Sequence, residues 1–588
     1  MRRMIADSQL SVIIHGRLKV KTTAEQQEAK RKEREKKLKL YNAGTKAAFK
    51  KRENGEYDEE GLKITGEILA VNPDFYTLWN FRKEIFVNFL QTRETDEVQK
   101  IMENELYFLE SCLKVNPKSY GTWHHRTFIM ENMPKPDWDR ELQLCNTFLD
   151  YDERNFHCWD YRRFVVMMAE VSLDDELGFT TQKITTNFSN YSSWHYRSKL
   201  LPMLHPDPTQ PAWVQEDVIL KEFEIVQNAV FTDPDDQSAW FYHRWLLGRG
   251  KKKQQISCIH ASRKTKRITV LLTRPIMVGR GNSLILSIHG KSVAGQWKTP
   301  TGSSSFSVLW IKDLTESIPE EKEVSVSVTL IPDIDKDTQF SQGLQIDADQ
   351  EEAWVMADFK SGSRFSNELS AATSSTLETE LESIKELHGV EPDNKWVLLT
   401  MFSLMMAIDR THSIYMLEIR ECIDQLIQVD LKREAYYRDT KSKFILQSIL
   451  ETQDKNAREM SLKDTGLTAL YHTEWMLLLT SIDLSNNALS TVKSLSNLRC
   501  LKCLCLDNNH LKDLDGLQHC HQLSELSVKI NDLNSAEDLY ILENNKCLVM
   551  INVYGNPLCR YKDHTTKIKK NIPSLLSIDD NKCTSAPS

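Results

Sequence analysis

Five segments of the chain spell a similar cassette around a tryptophan: NPDFYTLWNFR (Asn72–Arg82), NPKSYGTWHHR (Asn116–Arg126), DERNFHCWDYR (Asp152–Arg162), NFSNYSSWHYR (Asn187–Arg197) and DPDDQSAWFYHR (Asp233–Arg244). Aligned on the tryptophan, the residue five places earlier is Asp74, Lys118, Arg154, Ser189 and Asp235. Only Lys118 and Arg154 are cationic. That position falls where the second helix of each cassette starts, and helix N-terminal amides already favour anions. A lysine added there makes a good receiver for a diphosphate. The plain reading of a single lysine is a solvated surface charge, and that of each tryptophan and arginine is packing glue between repeats.

The cassettes imply the elements that position these residues. Asn or Asp followed by Pro ends one helix and opens the next, because Pro fits the first helical turn and drives the preceding residue out of αR. Trp and the residue three places on share one helix face. The indole can pack into the neighbouring hairpin while the guanidinium bonds a carboxylate or carbonyl. The tryptophans are spaced by 44, 36, 35 and 46 residues, the period of stacked helical hairpins. The match weakens along the chain: His243 replaces the arginine in the fifth copy, and a degenerate sixth copy, EPDNKWVLL around Trp396, places Leu399 there.

The fifth and sixth tryptophans are 156 residues apart, so about 120 residues interrupt the array. After the basic stretch Gly248–Lys253 the text turns to alternating β-branched runs at Ile268–Val278, Ser283–Ile288, Phe306–Ile311 and Glu323–Ile331, punctuated by Gly, Pro and Ser. This pattern predicts an immunoglobulin-like β-sandwich of about 100 residues. Helical text resumes near Thr376. A shorter repeat of the form LxxLxLxxNxL follows, with Asn487, Asn509, Asn531 and Asn556 separated by 22, 22 and 25 residues. These asparagines are expected to bond backbone groups at each turn of a leucine-rich repeat. The fold class expected is therefore multidomain and mainly α: an α-α hairpin solenoid with an inserted β-sandwich and a C-terminal leucine-rich repeat domain. The boundaries expected are a disordered extension over 1–14, helical repeats over 15–249, the insert over 250–375, returning helices over 376–445 and leucine-rich repeats over 446–588. The charged helix from Ala24 to Leu40 reads as a solvated face.

Composition narrows the function classes. A formal net charge of −8 and 27% charged residues describe a folded chain without the basic surplus that phosphate neutralisation needs, so a nucleic-acid partner is not expected. The longest nearly apolar run, Trp396 to Ile408, is shorter than the roughly 20 residues of a bilayer span. Twelve scattered cysteines and no signal-peptide pattern predict a cytoplasmic protein. Cys500, Cys503 and Cys505 are too few for a metal set of their own. Cys503 and Cys505 alternate with leucines and are expected to face away from the repeat core. The run Gln518-His519-Cys520-His521 reads as a connection between repeats.

The tryptophan cassettes resemble those of the α subunit of protein prenyltransferases over roughly residues 16–250 and 376–445. With the sandwich and leucine-rich modules in this order, and HGRLKVKT (His15–Thr22) at the front, the chain resembles the Rab geranylgeranyltransferase (type II) branch of that family. The resemblance implies a heterodimer in which the helical repeats wrap a β subunit that holds zinc. It implies as product a thioether between a geranylgeranyl group, drawn from geranylgeranyl diphosphate, and C-terminal cysteines of Rab GTPases presented by a Rab escort protein. It implies that Lys118 contacts the diphosphate with Tyr120 beside it. Asn155, Phe156 and His157, together with Arg154, match positions at the mouth of the active site, with packing against the partner as the equal alternative. Gly121 stands where farnesyltransferase relatives carry a Gln that receives the substrate carboxylate, which fits an enzyme that does not read a CaaX end. His15 matches a histidine that follows the initiator Met in related chains, and it is assigned no metal role. No metal ligands are expected on this chain. The competing readings are a non-catalytic helical adaptor and the α subunit shared by farnesyl and type I geranylgeranyl transferases; the sandwich and leucine-rich tail argue against the latter.

Overall fold

The computed structural model describes residues 24–207, 214–248, 254–279, 281–303, 305–315, 318, 323–333, 339–357, 364–365, 374–409, 413–579 and 581–582. His15, the 1–14 extension and residues 249–253 of the basic stretch lie outside the described residues. The chain divides after Leu204 into two compact units.

The first unit is helical. A long charged helix α1 (Ala24–Glu53) is followed by α2 (Glu59–Leu69), α3 (Tyr76–Thr92), α4 (Thr95–Val115), α5 (Tyr120–Asn132), α6 (Trp138–Tyr151), α7 (Phe156–Met168), α8 (Leu173–Thr186) and α9 (Tyr191–Leu204). Each cassette is the turn between the two helices of a hairpin. Its indole N–H donates to the carbonyl six residues back, Trp79 to Pro73, Trp123 to Pro117, Trp159 to Glu153 and Trp194 to Phe188, at 2.7–2.8 Å. The tryptophan thus fills the core and closes its own turn at once.

Neighbouring hairpins are fastened by a repeated buried ion pair. The arginine three residues after Trp reaches a glutamate on the first helix of the next hairpin: Arg82 to Glu105, Arg126 to Glu141 and Arg162 to Glu176. The residue two after Trp closes the same glutamate from the other side. His125 Nε2 lies 3.0 Å from Glu105, and the Tyr161 hydroxyl donates to Glu141 at 2.7 Å. Burial pushes the Glu105 carboxyl up, but the Arg82 guanidinium and His125 hold it down at about 2. Burial lowers His125 to about 4 against the pull of Glu105. The ring is therefore neutral, with Nε2–H donating and Nδ1 unpartnered among the described residues.

The second unit opens with α10 (Glu216–Thr232) and α11 (Gln237–Leu246), is followed by eight strands, and returns to helices with α12 (Ser374–Val390), α13 (Lys395–Ile408), α14 (Met416–Val429) and α15 (Glu434–Thr452). Contacts reach across the insertion. His243 Nε2 lies 3.0 Å from Glu380, and Asn394 Nδ2 donates to the Pro234 carbonyl at 3.1 Å. The histidine of the fifth cassette keeps the arginine's task with a shorter side chain.

The insert comprises β1 (Ile256–Ser262), β2 (Arg267–Ile276), β3 (Ser283–Ile288), β4 (Lys291–Ser292), β5 (Ser307–Asp313), β6 (Val324–Ile331), β7 (Phe340–Ile346) and β8 (Glu352–Met356). They form two antiparallel sheets, β5-β2-β1-β8 and β4-β3-β6-β7, packed over an apolar core that includes Ile259, Val270, Trp310, Val326 and Val328. Strand β6 alternates buried and half-buried residues, as a strand with one wet face should. Strand β1 is buried at every residue because its outer face meets the leucine-rich region: Cys258, Leu271 and Leu309 pack with Leu477 and Leu478.

The leucine-rich region stacks short parallel strands β9 (Glu459–Ser461), β10 (Ser481–Asp483), β11 (Cys503–Cys505), β12 (Glu525–Ser527), β13 (Met550–Asn552) and β14 (Ser577–Ile578), edged by β15 (Asn581–Lys582), with α16 (His564–Asn571) near its end. The asparagine ladder is present. Asn509 donates to the carbonyls of Leu484 and Leu506 and accepts from the amide of Leu489, and Asn487, Asn531 and Asn556 repeat the arrangement. An additional first repeat at Glu459 has Thr465 in the asparagine position, its hydroxyl bonded to the Leu462 carbonyl. Helix α15 runs through residue 446, and Leu446 and Leu450 join the leucine-rich core. Among the described residues no helix is long and apolar enough to cross a membrane; the apolar run at Trp396 lies in α13.

Candidate functional site

The turns that open α5 and α7 carry the sequence-derived candidates. In each, the Asn or Asp at the cassette start accepts the amide two residues on, Asn116 from Lys118 and Asp152 from Arg154, both at 3.1 Å. This Asx turn presents the intervening backbone outward just ahead of the helix N-terminus. Ser119 and Asn155 then cap α5 and α7 by accepting from the amides of Thr122 and His157.

Adjacent turns touch, and this brings the candidates together. Lys118 Nζ lies 3.4 Å from the Asp152 carboxylate, with about half of each side chain or less exposed. The Tyr120 ring meets the edge of the His157 imidazole at 4.2 Å and 86°, and the rings of Phe156 and His157 are 4.0 Å apart. His157 is nearly buried while Tyr120 is 60% exposed. Loss of solvation lowers the His157 pKa; Asp160 opposes the shift and Lys118 adds to it. A neutral imidazole therefore lies beside the Lys118 turn, and among the described residues its ring makes no hydrogen bond. The Tyr120 hydroxyl and the Arg154 guanidinium likewise have no hydrogen-bond partner there.

Asn155 sits differently. It is 1% exposed, caps α7 with its oxygen and donates its amide to the Pro117 carbonyl at 2.8 Å. It holds the Lys118 turn and the His157 turn at a fixed spacing, which makes it a positioning residue. Gly121 also has a steric role: a Cβ there would lie 2.6 Å from the Trp79 ring of the preceding cassette. Sequence reasoning did not single out Asp152. Its signal was present, since the cassette after the lysine-bearing turn starts with an acid where the preceding one starts with Asn116, which bonds Asp74 instead.

The same end of the hairpins exposes a row of apolar side chains. Tyr76, Tyr120, Phe156 and Tyr191, the first residues of α3, α5, α7 and α9, are each about half exposed, and Val71, Val115 and Tyr151 stand out beside them. Within the row the Tyr120 and Phe156 rings are 6.2 Å apart.

Comparison with known proteins agrees with this architecture. Residues 58–89, 102–133, 138–169, 173–204 and 219–250 match the protein prenyltransferase alpha subunit repeat, one hairpin each. Residues 256–348 match the insert domain of the Rab geranylgeranyl transferase alpha-subunit. The chain is 45% identical over 573 residues to the geranylgeranyl transferase type-2 subunit alpha of Bos taurus, covering 96% of this chain and all of the relative. The Homo sapiens protein of the same name matches equally. This chain belongs to the geranylgeranyl transferase type-2 α-subunit family. A more distant relative of the family, subunit alpha 2 from Arabidopsis thaliana, is 25% identical over 90% of this chain and 95% of its own length. Among solved structures, Candida albicans protein geranylgeranyltransferase-I complexed with GGPP aligns at 17% identity with a TM-score of 0.40, over 69% of this chain and 90% of that chain.

Proposed function

We propose that this chain is the α subunit of a heterodimeric geranylgeranyltransferase that modifies C-terminal cysteines of Rab GTPases presented by a Rab escort protein. In this reading the exposed aromatic row at the openings of α3, α5, α7 and α9 receives the β subunit, and Lys118 contributes an ammonium to the site the two subunits share. The observation that carries it is the meeting of Lys118, Tyr120 and neutral His157 on that row, in a chain of this family.

The chemistry joins an acceptor sulfur to C1 of geranylgeranyl diphosphate. As the C1–O bond breaks, its electron pair leaves with the diphosphate, and the thiol proton is lost as the thioether forms. Negative charge grows on the diphosphate along this path, so a cation and N–H or O–H donors aimed at it stabilise the transition state more than the ground state. Lys118 would give the cation, and Tyr120 and His157 the neutral donors. The Asp152 carboxylate keeps the ammonium beside the turn until the diphosphate arrives, and Arg154 adds positive potential one turn along. Asn155 fixes the spacing of the two turns. In this reading the β subunit would hold the catalytic zinc, which would lower the pKa of the acceptor thiol. The protein would act in the cytoplasm.

Lys118→Ala tests this directly. The heterodimer is expected to assemble normally while single-turnover transfer slows by about 10²–10³, the effect of removing one preorganised charge-stabilising donor. An unchanged rate removes Lys118 from the mechanism. Failure of the chain to form a heterodimer with a zinc-bearing β subunit, in favour of other partners, supports the adaptor reading instead.

A further inference from the structure

Away from the Lys118 turns, three residues with metal-binding side chains converge where the β-sandwich packs on the leucine-rich region. His260 on β1 and Glu352 on β8 lie on the outer face of one sheet, in strands paired antiparallel with His260 opposite Trp354. Cys500 precedes β11 in the leucine-rich stack. His260 Nε2 is 3.0 Å from Glu352 Oε2 and 3.8 Å from Cys500 Sγ, and all three ligand atoms lie within 4.8 Å of one another. His260 and Cys500 are buried and Glu352 is partly so.

We propose that His260, Glu352 and Cys500 bind a zinc ion that fastens the inserted sandwich to the leucine-rich region. The donor set is one imidazole nitrogen, one carboxylate oxygen and one thiolate, a mixture that suits a borderline-soft cation and not magnesium or calcium, which take oxygen alone. Tetrahedral bonds of about 2.0–2.3 Å place neighbouring ligand atoms roughly 3.3–3.8 Å apart. The His260–Glu352 separation of 3.0 Å opens by about 0.3 Å to meet that, the His260–Cys500 separation of 3.8 Å already does, and Glu352 and Cys500, within 4.8 Å of each other, close by up to roughly 1 Å. Arg458 donates to the other oxygen of Glu352, the kind of outer contact that orients a ligating carboxylate. Cys258, Leu271, Leu309, Leu477 and Leu478 pack in the same contact between the sandwich and the leucine-rich region. Binding displaces the Cys500 thiol proton and the proton that His260 Nε2 presents to Glu352, and both leave to solvent. The fourth position falls to water. The other grouping of this kind among the described residues, Cys559, His564 and Asp579, already commits its thiol to the Val553 carbonyl and its carboxylate to the Val553 amide.

The test is a metal count by difference, so that any ion on a partner subunit cancels. The full chain with its β subunit is loaded with zinc, desalted and measured by mass spectrometry of metals, beside Cys500→Ser and His260→Gln. The wild type is expected to carry one more zinc per α chain than either variant. Equal counts in all three overturn the proposal. If a variant fails to assemble, anomalous diffraction at the zinc edge on wild-type crystals decides: a peak between the three side chains supports the site, and no peak there overturns it.

Discussion

The pair Arg126–Glu141 allows a sharp test of what holds the Lys118 turn in register with the His157 turn. Both side chains are buried, 0% and 1% exposed. The guanidinium donates to Glu141 at 2.7 and 2.6 Å and to the Leu106 carbonyl at 2.9 Å, and the Tyr161 hydroxyl also donates to Glu141. Glu141→Gln keeps the shape but removes the charge and turns an N–H₂ group toward a buried cation. Breaking a buried pair on one side costs about 3–5 kcal/mol. The triple variant Arg126→Met, Glu141→Leu, Tyr161→Phe removes the charges and the hydroxyl together, and such apolar replacement is often neutral or stabilising. The assay is amide hydrogen exchange in the assembled protein, because unfolding of a multidomain chain is not two-state. Amides of α5–α7 are expected to exchange about 10²- to several-thousand-fold faster in Glu141→Gln, at about 1.4 kcal/mol per tenfold, and to recover most of their protection in the triple variant. A change below about 1 kcal/mol in the single variant, or a triple variant as weak as the single, refutes the argument that the pair is an obligate unit.

Three further outcomes follow from geometry already described. His125 is depressed to about 4 when folded, so the unfolded chain binds its proton first; hairpin stability is present above pH 6.5 and declines as pH falls from 6.5 toward 4, by on the order of 3 kcal/mol. Glu105, held at about 2, extends the decline below 4.5, and His125→Gln should flatten the upper part of the curve when exchange protection is followed against pH. Gly121→Ala drives a methyl to 2.6 Å from Trp79 and should destabilise the α4–α5 hairpin by about 1–3 kcal/mol, read as faster amide exchange there; unchanged exchange would mean the tryptophan moves freely. Asn509→Ala strands the Leu489 amide and takes one of two donors from each of the Leu484 and Leu506 carbonyls, which keep Asn487 and Asn531, and a loss of about 1–3 kcal/mol in local protection is expected around β10 and β11.

Periodic features were legible in the sequence because each is repeated. The cassettes located every hairpin turn from Asn72 to Asp233, and the leucine pattern located β10 to β13. The first leucine-rich repeat was not legible because Thr465 does the asparagine's work with a hydroxyl. Strand β1 was missed since Ile256–Ser262, covered on both faces, has no alternation to read. Within the candidate site, Lys118 could be singled out by charge, but the Asp152 contact depends on how closely successive turns stack, and local spelling does not encode that distance. The ligand trio His260, Glu352 and Cys500 is spread over 240 residues, with no spacing motif to reveal it.

The return of the helical array after the insertion has a consequence for biosynthesis. Glu380, which closes on His243, lies 137 residues downstream, and Asn394 follows the Pro234 it ties down by 160. At about 5–20 residues per second, a ribosome delivers these partners roughly seven to thirty seconds late. Until then the α10–α11 hairpin emerges with its far side bare, while the sandwich can complete itself in the interval. A nascent chain of this kind needs shelter for that flank during translation, and the stretch from Leu246 to Ser374 sets how long the shelter must last.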